Sequence, residues 1–227
     1  MSKQLHNAFK NNILLMGYYK NDHAQSGTVK HAHENEVAVG FRSAGFTEEP
    51  KTAYPKLTGK ILKTWAKGGP DTELKTVTNG MPEGSFIIQP AGSQGFPDIL
   101  VKDFGGKFYA VECKSAKGTC PMWNDNVPRP NSIYIFCSQS VNQTTVFLGR
   151  DVIDPSMYEA MEKVKEATAL AFKAQKHILG AADKFNRGWS LRIRWQNCQG
   201  GGAEKTNYFT HKDRTKCEKN VLEFVNE

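Results

Sequence analysis

The chain has 227 residues, 39% of them hydrophobic and 23% charged, a composition that excludes disordered and fibrous classes and suits one well-buried domain rather than two. No run approaches the ~20 apolar residues that cross a membrane, the opening Met1-Ser2-Lys3-Gln4-Leu5-His6 lacks the apolar stretch of a secretory signal, and five irregularly spaced cysteines argue against a disulfide framework, so a cytoplasmic protein is expected. A net charge of +7 points to a polyanionic partner such as nucleic acid.

Residues 1–27 are polar around one apolar patch, Ile13-Leu14-Leu15-Met16, and are expected to form an arm or short helix. A helix is predicted over 29–44, with Thr28 as cap, Gly45 as stop, and Val37, Phe41 and Ala44 as an apolar stripe. Its His31 and His33 point to different faces, which makes them a poor metal pair; solvated histidines, or histidines lying behind the site, are expected. A second amphipathic helix is predicted over 56–67, ended by Gly68-Gly69-Pro70, followed by a polar stretch to about 83 and a strand from Phe86-Ile87-Ile88.

Residues 96–114 carry the most chemistry. Two apolar runs flank Gly105-Gly106, which reads as a tight β-hairpin. Pro97 confines Asp98 to the start of the first strand, and Glu112 and Lys114 fall near the end of the second. Alternation puts Glu112 and Lys114 on one face and Cys113 on the other, and antiparallel pairing brings Asp98 beside Glu112. Two adjacent carboxylates repel, and a bound Mg²⁺ relieves that repulsion while leaving positions for water and phosphate oxygens. A neighbouring lysine can orient the water or offset negative charge.

Ile133–Phe136 and Thr145–Leu148 are predicted as central strands. Asp154-Pro155 opens a helix predicted to run to about Leu179, with Met157, Met161, Val164, Ala171 and Ile178 on a face that is either core or a dimer seam. Trp189–Trp195 alternates apolar residues with Ser190, Arg192 and Arg194, and with Asn207–Thr210 it predicts a second hairpin whose cationic face would lie on DNA. Cys113, Cys120 and Cys137 lack zinc-site spacing and are expected to be free, partly buried thiols.

Pro97-Asp98 with Glu112-Cys113-Lys114 resembles the PD-(D/E)XK nuclease superfamily. Gln89–Gln94 before it, and Ser115 and Pro121–Asp125 after it, make the likeness to type II restriction endonucleases specific over about residues 86–150. The resemblance implies an α/β fold with a mixed α+β sheet: a restriction-endonuclease-like core, a central mixed β-sheet flanked by helices, with an extra C-terminal β-hairpin. One domain is expected over 1–227, divided into an arm (1–27), a catalytic core (28–180) and a hairpin extension (181–227).

The resemblance further implies Mg²⁺-dependent, sequence-specific hydrolysis of double-stranded DNA to 5′-phosphate ends by a hydrolase of a restriction system. Asp98 and Glu112 would bind the metal with the Cys113 backbone carbonyl, Lys114 would position water, and a glutamate of the first helix, Glu34 or Glu36, would face the metal site. Ser93, Gln94, Trp123, Asn124, Asp125, Arg129, Arg192 and Arg194 are the expected DNA contacts. Cutting both strands of a palindromic site implies a homodimer, and a cognate methyltransferase would act separately rather than as a bound partner. The alternatives are a structure-specific repair or junction nuclease, a nicking enzyme of the same fold, or a non-catalytic DNA-binding module.

Overall fold

The computed structural model describes residues 3–18, 32–93, 95–123, 127–183, 188, 191 and 206–226. The chain forms a mixed α/β structure around a six-stranded sheet in which sequence order and spatial order coincide. The strands are β1 (Thr47–Glu48), β2 (Ser85–Ile88), β3 (Ile99–Lys102), β4 (Phe108–Ala116), β5 (Ile133–Ser138) and β6 (Gln143–Leu148). β1 and β2 are parallel, β2–β3–β4 form an antiparallel meander, β4 and β5 are parallel, and β5–β6 are antiparallel.

Helices lie around the sheet: α1 (Lys3–Asn7), α2 (Ala32–Ser43), α3 (Gly59–Ala66), α4 (Asp71–Val77), α5 (Gly149–Val152), α6 (Pro155–Ala182) and α7 (Arg214–Phe224). On one face, Ile99, Val101, Tyr109, Val111, Ile133 and Ile135 pack against Val37 and Phe41 of α2, the N-terminal segment, and Val221 and Val225 at the chain's end. On the other, Ile87, Leu100 and Phe108 meet Leu62 of α3 and Leu74 of α4. Period-two alternation thus sends the odd residues of β3 and β4 into the first layer and the even ones toward the second.

Several expectations change here. Residues 3–15 are not an appended arm: Leu5, Ala8, Phe9 and Ile13 are fully buried, because a one-sided sheet needs cover and α2 alone is too short to give it. The polar stretch before β2 contains α4, and one buried leucine, Leu74, suffices to dock it. Asn207–Thr210 forms a turn rather than a strand, its Asn207 side chain accepting from the Phe209 and Thr210 amides. The helix α7 then packs on the sheet beside β6. The other half of the expected hairpin, with Arg192 and Arg194, lies outside the described residues, as does the cap Thr28. Cys137 is buried, not partly buried.

The β3–β4 turn is built as its sequence requires. Gly106 takes φ +79°, where a side chain would be strained, and the buried Asp103 carboxylate accepts from the amides of Gly105 and Lys107 at 2.9 and 2.8 Å. No helix among the described residues is long and apolar enough to cross a membrane.

Phe41 joins the layers, its ring contacting Phe9, Phe46 and Phe86 at 5.6–5.9 Å between centroids. Phe41→Ala is therefore expected to cost about 3–5 kcal/mol in urea unfolding; a loss under about 1 kcal/mol would show that this aromatic cluster is not the joint between helix and sheet.

Candidate active site

The ladder between β3 and β4 pairs Ile99 with Val111, and the next step of that register sets Asp98 opposite Glu112. β3 ends at this point while β4 continues to Ala116 beside β5 alone. The sheet forks here, and an amide on the open side of β4 loses its strand partner. Asp98 supplies one: the Cys113 N–H donates to its Oδ2 at 2.7 Å. The main-chain oxygen of Asp98 in turn accepts from the Gln89 amide at 2.6 Å, so both the backbone and the side chain of Asp98 are held.

Glu112 and Lys114 share a face two residues apart, and the Lys114 ammonium donates to Glu112 Oε1 at 2.9 Å. Glu112 Oε2 is buried and has no hydrogen-bond partner. The Lys114 ammonium also lies 5.9 Å from the centroid of the Trp123 ring. Burial alone would lower the Lys114 pKa, but Glu112 and Asp98 outweigh it and hold the amine protonated above its ordinary value. Lys114 is thus a cation, not a base.

Burial, then the neighbouring Glu112 charge, push the Asp98 carboxyl up to about 8, with Glu34 adding to the effect and the Cys113 amide opposing it. Glu34, near the start of α2, is tethered by the Gln89 side chain, which donates to its Oε2 at 2.9 Å. The choice between Glu34 and Glu36 is thereby made: Glu34 is the helix carboxylate whose charge reaches Asp98. The group of Cys113 that meets Asp98 is its amide, and its thiol is buried and raised well above the usual range by desolvation.

Other expected site residues sit differently. Ser93 is exposed in the tight loop between β2 and β3, where Gly92 N–H donates to the Gln89 carbonyl at 2.8 Å. Trp123 is not a surface ring: it is buried edge-on against Tyr134 and Phe147, because the connection between parallel β4 and β5 must recross the sheet and needs an apolar anchor. Arg129 is also buried, its guanidinium 3.6 Å from the Phe96 ring centroid, so it braces the segment entering Asp98 instead of facing outward. Its loop is clamped where a Cβ on Gly149 would fall 1.8 Å from the Arg129 carbonyl oxygen. Gln94, Asn124, Asp125, Arg192, Arg194 and His31 lie outside the described residues. His33 is not solvated; both ring nitrogens are buried without partners, and desolvation lowers its pKa to about 4.

Two residues were not anticipated. Gln89 positions Glu34, and Tyr134 stands directly beside Glu112 in the β4–β5 ladder while its hydroxyl accepts from the Arg129 amide at 2.8 Å. Gln89 falls in the stretch that carries the resemblance but had no role assigned there, and both roles depend on pairings between distant segments.

Among the described residues no group of three or more His, Cys, Asp or Glu side chains could hold a metal ion. Asp98 and Glu112 are nonetheless a fitting pair for Mg²⁺, which takes one or two carboxylates and fills its remaining positions with water and phosphate oxygens. The buried, unpartnered Glu112 Oε2 and the raised Asp98 pKa both mark a place where a cation would be favourable. Compared with known proteins, the chain matches no family model, no curated protein and no solved structure.

The electrostatics give a pH signature. The folded Asp98 carboxyl binds its proton more tightly than in the unfolded chain, so stability is lost as pH rises from about 4 through about 8. His33 acts in the opposite sense, with stability lost as pH falls from 6.5 toward 4. In EDTA, Asp98→Asn should lose less stability than the parent between pH 5 and pH 9, by chemical unfolding at each pH; parallel curves for the two proteins would contradict the raised pKa.

Proposed function

We propose that this chain is a Mg²⁺-dependent endonuclease of the type II restriction kind, built on a restriction-endonuclease-like core and hydrolysing double-stranded DNA at a defined sequence. The carrying observation is the convergence of Asp98, Glu112 and protonated Lys114 at the sheet fork, with Glu34 alongside. A net charge of +7 supports a polyanionic substrate, since lysines and arginines would neutralise phosphates around a carboxylate site.

Asp98 and Glu112 would hold the metal, with the Cys113 backbone carbonyl as a further ligand. When bound, Mg²⁺ supplies Lewis-acid polarisation of the scissile phosphate and stabilises charge on the leaving 3′ oxygen. The Lys114 ammonium can only donate hydrogen bonds. It would orient the attacking water by its oxygen and meet negative charge growing on the phosphate. The hydrogen bond from Cys113 N–H fixes one Asp98 oxygen and leaves the other free to turn toward the cation.

The test is cleavage of a long unmethylated duplex of known sequence with Mg²⁺ and with EDTA. Discrete bands only with Mg²⁺ are expected; a smear would favour a structure-specific or sequence-blind nuclease, and retarded but uncut DNA a binding module. Asp98→Ala and Glu112→Ala should abolish cutting, and Lys114→Ala should slow it by roughly 10²–10³-fold, with circular dichroism unchanged. Efficient cutting by the Asp98 or Glu112 variant would remove the assignment.

A further inference from the structure

Among the described residues, two that are not glycine adopt a positive φ: Asn142 at +50° and Gln89 at +49°. Asparagine tolerates this left-handed backbone through its short polar side chain, whereas glutamine has no such aptitude. Gln89 also precedes Pro90, a neighbour that restricts it toward extended backbone. Two local preferences are therefore overruled at one residue, and strain of this kind persists only where the surroundings enforce it.

The sheet shows what the strained backbone does. On β2, Phe86 and Ile88 pack in the layer that holds α2, whereas Ile87 packs against α3 and α4. Alternation would send the next residue, Gln89, to the α3 and α4 side. Its backbone leaves the extended region instead, and its side-chain amide donates to Glu34 Oε2 on α2 at 2.9 Å. Its main-chain N–H still closes the ladder on the Asp98 carbonyl at 2.6 Å. One residue thus ties the α2 carboxylate to the backbone of Asp98. Glycine would take this backbone freely but would lose the bond to Glu34, so the side chain is what the strain serves.

We propose that Gln89 is a positioning residue of the active site, holding the Glu34 carboxylate at a fixed distance from Asp98 so that the fork presents its acids to one cation. This deepens the nuclease reading and rests on it. A neutral amide suits the task, because it fixes a carboxylate without cancelling its charge, as a lysine there would do. Gln89 acts through Glu34 and needs no contact with DNA.

Mg²⁺ titration by calorimetry without DNA, urea unfolding and steady-state cleavage, all on the full chain, test it. Gln89→Ala should bind Mg²⁺ roughly tenfold more weakly and lower kcat by roughly 10–100-fold, the usual cost of removing a group that orients a metal-site ligand, with KM for DNA unchanged. Gln89→Gly should show the same losses yet unfold at higher urea than Gln89→Ala, because glycine relieves the backbone that alanine still strains. Added to Glu34→Ala, Gln89→Ala should cause no further loss. Parental Mg²⁺ affinity and rate in Gln89→Ala, or additive losses in the double variant, overturn the proposal. So does a Gln89→Gly protein less stable than Gln89→Ala, which would leave no strain to explain, or one that regains function together with stability, which would make Gln89 purely structural. Each of those failures leaves the nuclease reading standing, whereas a parent that neither binds Mg²⁺ nor cuts DNA removes that reading and this proposal together.

Discussion

The hydrogen bond from the Cys113 amide to the Asp98 carboxylate is the contact on which the site depends. It lies where the β3–β4 ladder ends and β4 runs on with β5 alone. A free amide at such a fork must find an acceptor, and Asp98 is the one the register delivers. The same bond fixes where Asp98 sits relative to Glu112 and so sets the repulsion between them. The sheet's geometry and the site's electrostatics are one constraint seen from two sides.

Charge at the fork is unbalanced on purpose of nothing the fold itself requires. Among the described residues, Lys114 is the cation set beside Asp98, Glu112 and Glu34, and one Glu112 oxygen is buried without a partner. A purely structural cluster would be expected to satisfy that oxygen, since leaving it bare is unfavourable. The N–H of Cys113 and the side chain of Gln89 hold two of the three acids in place without neutralising them. This is the physical reason to read the fork as a cation site rather than an ion-pair network. The aromatic layer beneath it, Trp123 with Tyr134 and Phe147 and Arg129 on Phe96, anchors Trp123, Arg129 and Phe96 against their neighbours.

The hairpin at 96–114 was legible from local sequence because its determinants are local: Pro97 at the strand's start, Gly106 in the turn, and alternation that places Glu112 with Lys114. The strands β5 and β6 and the long helix α6 were legible from apolar patterning and the Asp154-Pro155 start, although β6 is an edge strand and not a central one, its apolar content explained by α7 packing beside it; the Asp154 side chain does accept from the Ser156 amide at 2.8 Å. Trp123 and Arg129 were misplaced for a shared reason. Both look like surface-reading residues in a polar loop, yet that loop recrosses the sheet and must bury something to stay down. α7 and the burial of the N-terminal segment were missed because each depends on the other end of the chain: His6 Nδ1 hydrogen-bonds with the Leu222 carbonyl at 3.2 Å.

Sequence alone determined which side chains share a strand face, where the turn falls and that two acids and a lysine would meet, because period-two alternation and glycine's backbone freedom act within a few residues. Tertiary structure alone decided that Glu34 rather than Glu36 reaches Asp98, that Tyr134 stands beside Glu112, that Trp123 and Arg129 are buried, and that the face of α6 is open. Those outcomes depend on which distant segments pack together, and packing is set by the shape and area left to be covered once the sheet has formed.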